Sequence, residues 1–72
     1  MKIPAHDVGM MVASGAGVSI DAAAYEVTEL VSIVSEARDL RQTIVIRNAM
    51  RLTQTDRMKL VSKRKCRILM EL

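Results

Sequence analysis

The chain has 72 residues, half of them apolar, with Tyr25 as its only aromatic residue, Cys66 as its only cysteine and a formal net charge of +3. This composition predicts one small domain with an aliphatic core, and it excludes a disordered chain and a disulfide-stabilised scaffold. No apolar run approaches the roughly 18 residues that a transmembrane helix needs, and residues 1–17 lack the apolar stretch of a signal peptide, so we expect a cytoplasmic protein without a membrane anchor.

Three segments of the chain match one helical pattern, and they begin at Ile3, Tyr25 and Leu52. In each segment an acidic residue stands at position +4, and mostly apolar residues stand at +5, +8 and +9. This spacing marks one face of a helix, and the acid falls in the first turn, where the helix dipole favours negative charge. The third segment has Arg57 at +5, so either Met58 turns toward the core there or the aliphatic stem of Arg57 covers it.

Signals for helix ends accompany this pattern. Pro4 suits the first helical position, because proline has no N–H to leave unpaired there. The run Gly15-Ala16-Gly17 predicts a left-handed C-cap for the first helix, and Thr53-Gln54-Thr55-Asp56 approximates a capping box for the third. Because Gly9 weakens the first helix, residues 1–17 are predicted either as a capping helix or as a flexible arm.

A β-rich run follows each predicted helix, and the three runs are Val18–Asp21, Thr43–Arg47 and Arg67–Glu71. Strict alternation of side chains along each run predicts two distinct faces. One face carries Val18, Ile20, Ile44, Ile46, Ile68 and Met70; the other carries Ser19, Asp21, Val45, Arg47, Leu69 and Glu71. In this register Asp21, Arg47 and Glu71 form an acid–base–acid row across neighbouring strands, which a slip of one residue would destroy.

Three strands separated by single helices imply right-handed parallel crossovers. If the strand order is sequential, every helix lies on the same face of the sheet. The predicted fold class is therefore α/β: residues 1–72 form one domain of three αβ units, with a small three-stranded parallel sheet, helices on one face and a solenoid-like arrangement. Asn48, directly after the second strand, is expected in a turn.

The charges of the chain are unevenly distributed. Residues 1–37 hold one base against five acids, whereas residues 38–67 hold ten bases against two acids. This split indicates either an anionic partner for the basic half or contact between the acidic half of one copy and the basic half of another. Solvated faces that merely differ in sign are the remaining interpretation.

The predicted sheet leaves one face bare, and parallel sheets normally have both faces covered. Its two outer strands also lack an internal proline that would discourage pairing with another strand. We therefore expect a protein-interaction or self-assembly module that forms a homo-oligomer or docks onto a larger protein through the open sheet face or an edge strand. The contact is predicted to centre on Val45, Arg47, Leu69 and Glu71.

The alternative is a module that binds the phosphate backbone of nucleic acid through basic residues of the C-terminal half, namely Arg57, Lys59, Lys63, Arg64, Lys65 and Arg67. Catalysis is not expected, since His6 has no suitably placed partner and a single Cys and His cannot form a zinc site. Cys66 is expected to be a small residue that enters the third strand. No cofactor, metal or small-molecule substrate is predicted.

Overall fold

The computed structural model describes residues 3–62 and 66–72. Helices and strands alternate along the chain, as the sequence predicts. In chain order the elements are α1 (Ala5–Ala13), β1 (Val18–Asp21), α2 (Val27–Ser35), β2 (Thr43–Arg47), a short 3-10 helix (Ala49–Arg51), α3 (Gln54–Ser62) and β3 (Arg67–Met70). The predicted bounds of the first two strands are confirmed, and the third ends one residue earlier than predicted.

The three strands form a parallel sheet in the sequential order β1-β2-β3. Val18 pairs with Ile44 and Ile44 pairs with Ile68, so the predicted register is confirmed across the whole sheet. Ile44 and Ile46 are fully buried beneath the helices, whereas Leu69, on the opposite face, is 54% exposed. The predicted α/β fold, with its helices on one face of the sheet, is therefore confirmed.

The core lies between the sheet and the helices. Its largest fully buried side chains are aliphatic and come from all three helices and the central strand: Val12, Leu30, Ile33, Val34, Ile44, Ile46 and Leu60. Burial of such side chains stabilises the fold by about 1.5–3 kcal/mol each relative to their exposure. The helical pattern thus identifies the core, with exceptions at Met11 and Val61, which are 39% and 37% exposed.

The helix ends follow the sequence signals, with one correction. Pro4 is the N-cap of α1, not its first helical residue, because its ψ of 145° is extended. At the other end, Gly15 adopts a φ of +105°. The N–H of Gly15 then donates to the Val12 carbonyl and the N–H of Ala16 to the Met11 carbonyl, which is the Schellman arrangement. This reversal leads the chain directly into β1.

The other two helices are capped by side chains. The Glu29 carboxylate accepts a hydrogen bond from the N–H of Glu26 at 2.8 Å, which closes the N-terminus of α2. The Thr53 hydroxyl accepts from the N–H of Asp56 at 3.1 Å, which is the first half of the capping box predicted for α3. The cap of α3 was predicted from the sequence, whereas for α2 only an acid in the first turn was predicted.

At position +5 of the third unit, the sequence left open whether Met58 turns toward the core or Arg57 covers it, and the structure shows Arg57 there. Met58 is 61% exposed, so it does not turn into the core. The Arg57 side chain is half-buried, and its Nη1 donates to the carbonyl oxygens of Ala49 and Leu52 at 3.0 and 2.8 Å. The half-buried guanidinium thus donates to both carbonyls at the 3-10 helix, of which that of Ala49 also accepts from the N–H of Leu52.

Candidate protein-interaction surface

The outward face of the sheet, which we call the open face, consists of Ser19, Asp21, Val45, Arg47, Leu69 and Glu71. Ser19, Val45 and Leu69 are neighbours in the sheet register, so they form one row across the three strands. Leu69 is exposed and Val45 half-buried, which leaves an apolar patch flanked by a polar edge. None of the described residues covers this patch from the outside.

The second row of the open face contains the predicted charges. Asp21 lies beside Arg47 in the register. The pairing continues past β3, because the N–H of Glu71 donates to the Ile46 carbonyl and the Glu71 carbonyl accepts from the N–H of Ala49, both at 2.9 Å. The predicted order of acid, base and acid is therefore present at the carboxyl ends of the strands.

Direct ion pairs do not form in this row. Within residues 3–62 and 66–72, one ion pair is present, and it lies in the loop before β2. There Arg41 Nε is 4.0 Å from Asp39 Oδ1. Asp21 instead accepts hydrogen bonds from Asn48 Nδ2 at 2.9 Å and from the N–H of Ala23 at 2.8 Å. Local hydrogen bonds therefore hold the carboxylate in place, and Arg47 acts on it only through the electrostatic field.

The pKa of Asp21 is lowered from its ordinary value. The hydrogen bond from Asn48 is the largest cause, followed by the N–H of Ala23, and the positive charges of Arg47 and Arg51 contribute less. Asn48 reaches Asp21 because its backbone is left-handed, with a φ of 58°. The prediction that Asn48 stands in a turn is confirmed, and its amide also links the ends of β1 and β2.

Sequence reasoning missed Gln42, which lies in the loop before β2 and is only 5% exposed. Its Nε2 donates to the carbonyls of Val12 and Ala16 at 2.8 and 2.9 Å. Its Oε1 accepts from the N–H groups of Arg38 and Asp39, both at 2.8 Å. The amide therefore uses both donors and both acceptor positions to join the first αβ unit to the second.

The structure describes three residues of the predicted nucleic-acid surface, namely Arg57, Lys59 and Arg67. Arg57 uses its guanidinium within the fold, as described above. Lys59 and Arg67 are exposed, on α3 and β3 respectively. Lys63, Arg64 and Lys65 lie outside the described residues. Arg57 is thus less available to a phosphate than the sequence suggests.

Cys66 and His6 are the other residues that were considered for chemistry from the sequence. Cys66 is 5% exposed, in agreement with a small residue that enters the third strand, and its sulfur lies 3.6 Å from the carbonyl oxygen of Arg67. His6 is exposed on α1. In the part of the chain that the structure describes, no three residues among His, Cys, Asp and Glu are grouped closely enough to hold a metal ion. No helix there has both the length and the apolar character required to cross a bilayer.

A groove also runs along the free edge of β1, and sequence reasoning did not anticipate it. Its volume is about 460 Å³, and its apolar lining includes Ile3, Met11, Val18 and Tyr25. The Tyr25 hydroxyl donates to the Ile3 carbonyl, so the start of the second unit holds Ile3 beside this groove. The signal that points to this groove is the exposure of Met11 at a helical position that is otherwise buried.

Comparison of this chain with protein-family models, with curated proteins and with solved structures gives no match. The functional argument therefore rests on the surfaces described above.

Proposed function

We propose that this chain is a non-enzymatic protein-interaction module that assembles with copies of itself. The observation that carries the proposal is the uncovered apolar patch on the open face, where Leu69 is 54% exposed beside Val45. A parallel sheet with one bare face is uncommon in an isolated domain, because both faces are normally covered. A domain of this size also buries a smaller fraction of its surface on folding than a large domain does, so association adds stability that the fold lacks alone.

The charged row beside the patch gives the contact its specificity. Arg47 carries the one positive charge of the row and lies between two acids. The Arg47→Glu variant sets three acids side by side, and each like-charge neighbour costs a few tenths to about 1 kcal/mol. We expect this variant to weaken association and to lower the melting temperature. Leu69→Lys removes the apolar centre of the contact and is expected to weaken association with a smaller effect on folding, because the residue is exposed.

The experiment is light scattering after gel filtration, run at several protein concentrations, for wild type and variants. Two controls carry the same substitutions on the loop before β2: Arg41→Glu, whose side chain is 95% exposed, and Leu40→Lys, whose parent residue is 78% exposed. We expect wild type and both controls to show a mass above that of the monomer. A wild-type protein that remains monomeric at every concentration would refute the proposal.

The alternative function is binding of a nucleic-acid phosphate backbone. It is favoured by the charge of residues 49–72, which hold seven bases against two acids. Titration with a DNA duplex at increasing salt tests it, because each neutralised phosphate contributes about −0.9 to the slope of log affinity against log salt concentration. A steep slope together with a monomeric protein would favour this alternative over self-assembly.

A further inference from the structure

Two exposed apolar residues occupy helical positions that are buried elsewhere in the same molecule. Position +8 of the repeated pattern holds Met11, Ile33 and Leu60 in the three units. Ile33 and Leu60 are 1% and 0% exposed, whereas Met11, in the first unit, is 39% exposed. The side chain at +8 is therefore buried in a unit that has another unit before it and is exposed in the unit that has none.

Position +9 shows the opposite trend. It holds Val12, Val34 and Val61, of which the first two are fully buried and Val61, in the last unit, is 37% exposed. The side chain at +9 is therefore buried when another unit follows. Position +7 is a useful contrast, because Met10, like Ser32 and Lys59 at that position, is exposed whatever its neighbours.

The strands show the same effect of the ends. Ile44 and Ile46 in β2 are fully buried, whereas Val18 in β1 and Ile68 and Met70 in β3 are only partly buried at equivalent positions of the register. Ile20 in β1 is the exception, since it is 4% exposed. Among the described residues, β1 and β3 each pair with β2 alone, so each outer strand has one free edge. Free edges of this kind accept another strand readily.

The two ends of the array complement each other. The groove of about 460 Å³ beside β1 is lined mostly by the first unit, with both apolar side chains and Asp21, and it also includes Tyr25 and Arg47. Apolar side chains of α3 and β3 that are not fully buried project from the last unit. Residues 1–24 have a net charge of −1, from Asp7 and Asp21 against Lys2, whereas residues 49–72 have a net charge of +5. Opposite charges at the two ends favour contact between different ends over contact between like ends.

We infer that copies of this chain stack head to tail, with β3 of one copy parallel to β1 of the next, so that the sheet and the helical layer continue from copy to copy. This inference rests on the proposed self-assembly and places its contact at the free edges of the two outer strands, so that the open face extends from copy to copy and remains outside the contact. The contact joins two different surfaces and does not close on itself, so it produces open chains whose length grows with concentration. Met11 of one copy and Val61 of the preceding copy then occupy the buried environments that their equivalents have within the chain.

The register of the continued sheet can be read from the existing pairs. Ser19 pairs with Val45, and Val45 pairs with Leu69, so Leu69 of one copy is expected beside Ser19 of the next. Neighbouring strands are about 4.8 Å apart, which lies within the range of Cα separations that a disulfide spans. Cross-linking therefore tests the geometry directly, in a Cys66→Ala background that removes the natural thiol.

The experiment uses two variants, Ser19→Cys and Leu69→Cys, which are oxidised separately and then as a mixture. Head-to-tail stacking predicts no cross-link in either variant alone, a dimer that contains one copy of each in the mixture, and a ladder of multimers when both substitutions share one chain. The control is Ser35→Cys mixed with Leu69→Cys, because Ser35 is exposed on the helical layer; no cross-link is expected there.

Different failures have different meanings. Cross-linked dimers of Leu69→Cys alone would indicate a two-fold contact between open faces, which overturns the head-to-tail inference and leaves the proposed function intact. A wild-type protein that is monomeric at every concentration, with no cross-links in the mixture, overturns both. A wild-type oligomer without cross-links in the mixture overturns only the geometry.

A second test uses adjacent methionines on one helix. Met11→Glu is expected to raise the dissociation constant of the assembly at least tenfold, because it places a carboxylate at an apolar contact. Met10→Glu, at the position exposed in every unit, is expected to change it by less than about twofold. Equal effects of the two substitutions, measured by sedimentation on variants with wild-type circular dichroism, would overturn the inference.

The charged row of the open face gives a third test, in which the substitution is expected to strengthen association. In the continued register Glu71 lies beside Asp21 of the next copy, and this like-charge pair weakens the contact. The Glu71→Gln variant is therefore expected to lower the dissociation constant by about two- to fivefold. Weaker association of this variant would contradict the head-to-tail register.

Discussion

Replacing Gln42 by leucine tests how the first two αβ units are held together. The variant keeps the volume and burial of the side chain but removes four hydrogen bonds. The Val12 carbonyl is buried, and leaving it without a donor costs about 1–3 kcal/mol. The groups on Ala16, Arg38 and Asp39 are only partly buried, so water replaces the lost partner and each costs about 0.5 kcal/mol.

The expected loss is therefore about 3 kcal/mol, a large part of the roughly 4–11 kcal/mol that a domain of 72 residues has in total. Urea denaturation followed by circular dichroism measures this loss, and a fall in melting temperature of about 15–20 °C should accompany it. The matched control is Gln54→Leu, the same substitution at an exposed position of α3, which should stay within about 0.5 kcal/mol of wild type. A loss below about 1 kcal/mol for Gln42→Leu would show that the amide does not join the units as argued.

Two further predictions concern polar contacts between elements. Arg57→Met should lower the free energy of unfolding, measured by urea titration, by about 1.5–3 kcal/mol, because two carbonyls lose a charged donor. The control is Lys59→Met, at an exposed position of the same helix, which should leave the free energy of unfolding unchanged. Asn48→Gly keeps a left-handed backbone accessible but removes the amide that donates to Asp21. The pKa of Asp21, measured by an NMR titration of its carboxyl carbon, should therefore rise toward its ordinary value. An unchanged pKa would contradict the assignment of the Asn48 hydrogen bond as the main cause of the lowered pKa. Because the folded state lowers this pKa, the carboxylate stabilises wild type above the ordinary pKa of aspartate and loses that effect as the pH falls through the lowered value.

The fold could be predicted from the sequence because its signals are local. Alternation of side chains over Val18–Asp21 and Thr43–Arg47 identifies both strands, and the glycine of the loop at Gly15 marks the end of α1. The sequential strand order was a condition of the prediction, and the structure shows that order; crossovers of one hand then place the helices on one face. The register was accessible as well, since a slip of one residue would move the isoleucines of a strand to the other face and would break the row of Asp21, Arg47 and Glu71.

The polar contacts could not be predicted in the same way. The Gln42 amide binds carbonyls that lie 26 and 30 residues earlier in the chain, and no periodic pattern identifies such a partner. The row of Asp21, Arg47 and Glu71 was predicted from the register, but the register does not determine whether side chains meet. Asp21 finds donors closer to its own backbone, in Asn48 and Ala23, and these compete successfully with a solvated guanidinium.

The exposure of Met11 and Val61 was also inaccessible to the sequence pattern, because the pattern is the same in units that have neighbours and in units that lack them. In repeat proteins, stability is approximately the sum of the intrinsic terms of the units and the terms of the interfaces between adjacent units. Here three units share two interfaces, so the interfaces are fewer than the units that they must stabilise. Each junction between two copies that stack end to end adds one interface of the same kind to the two interfaces that each copy has within itself. Head-to-tail association therefore supplies an additional stabilising interface between units. Variants that weaken an interface within the chain, such as Gln42→Leu, should make the folding of the protein more dependent on its concentration.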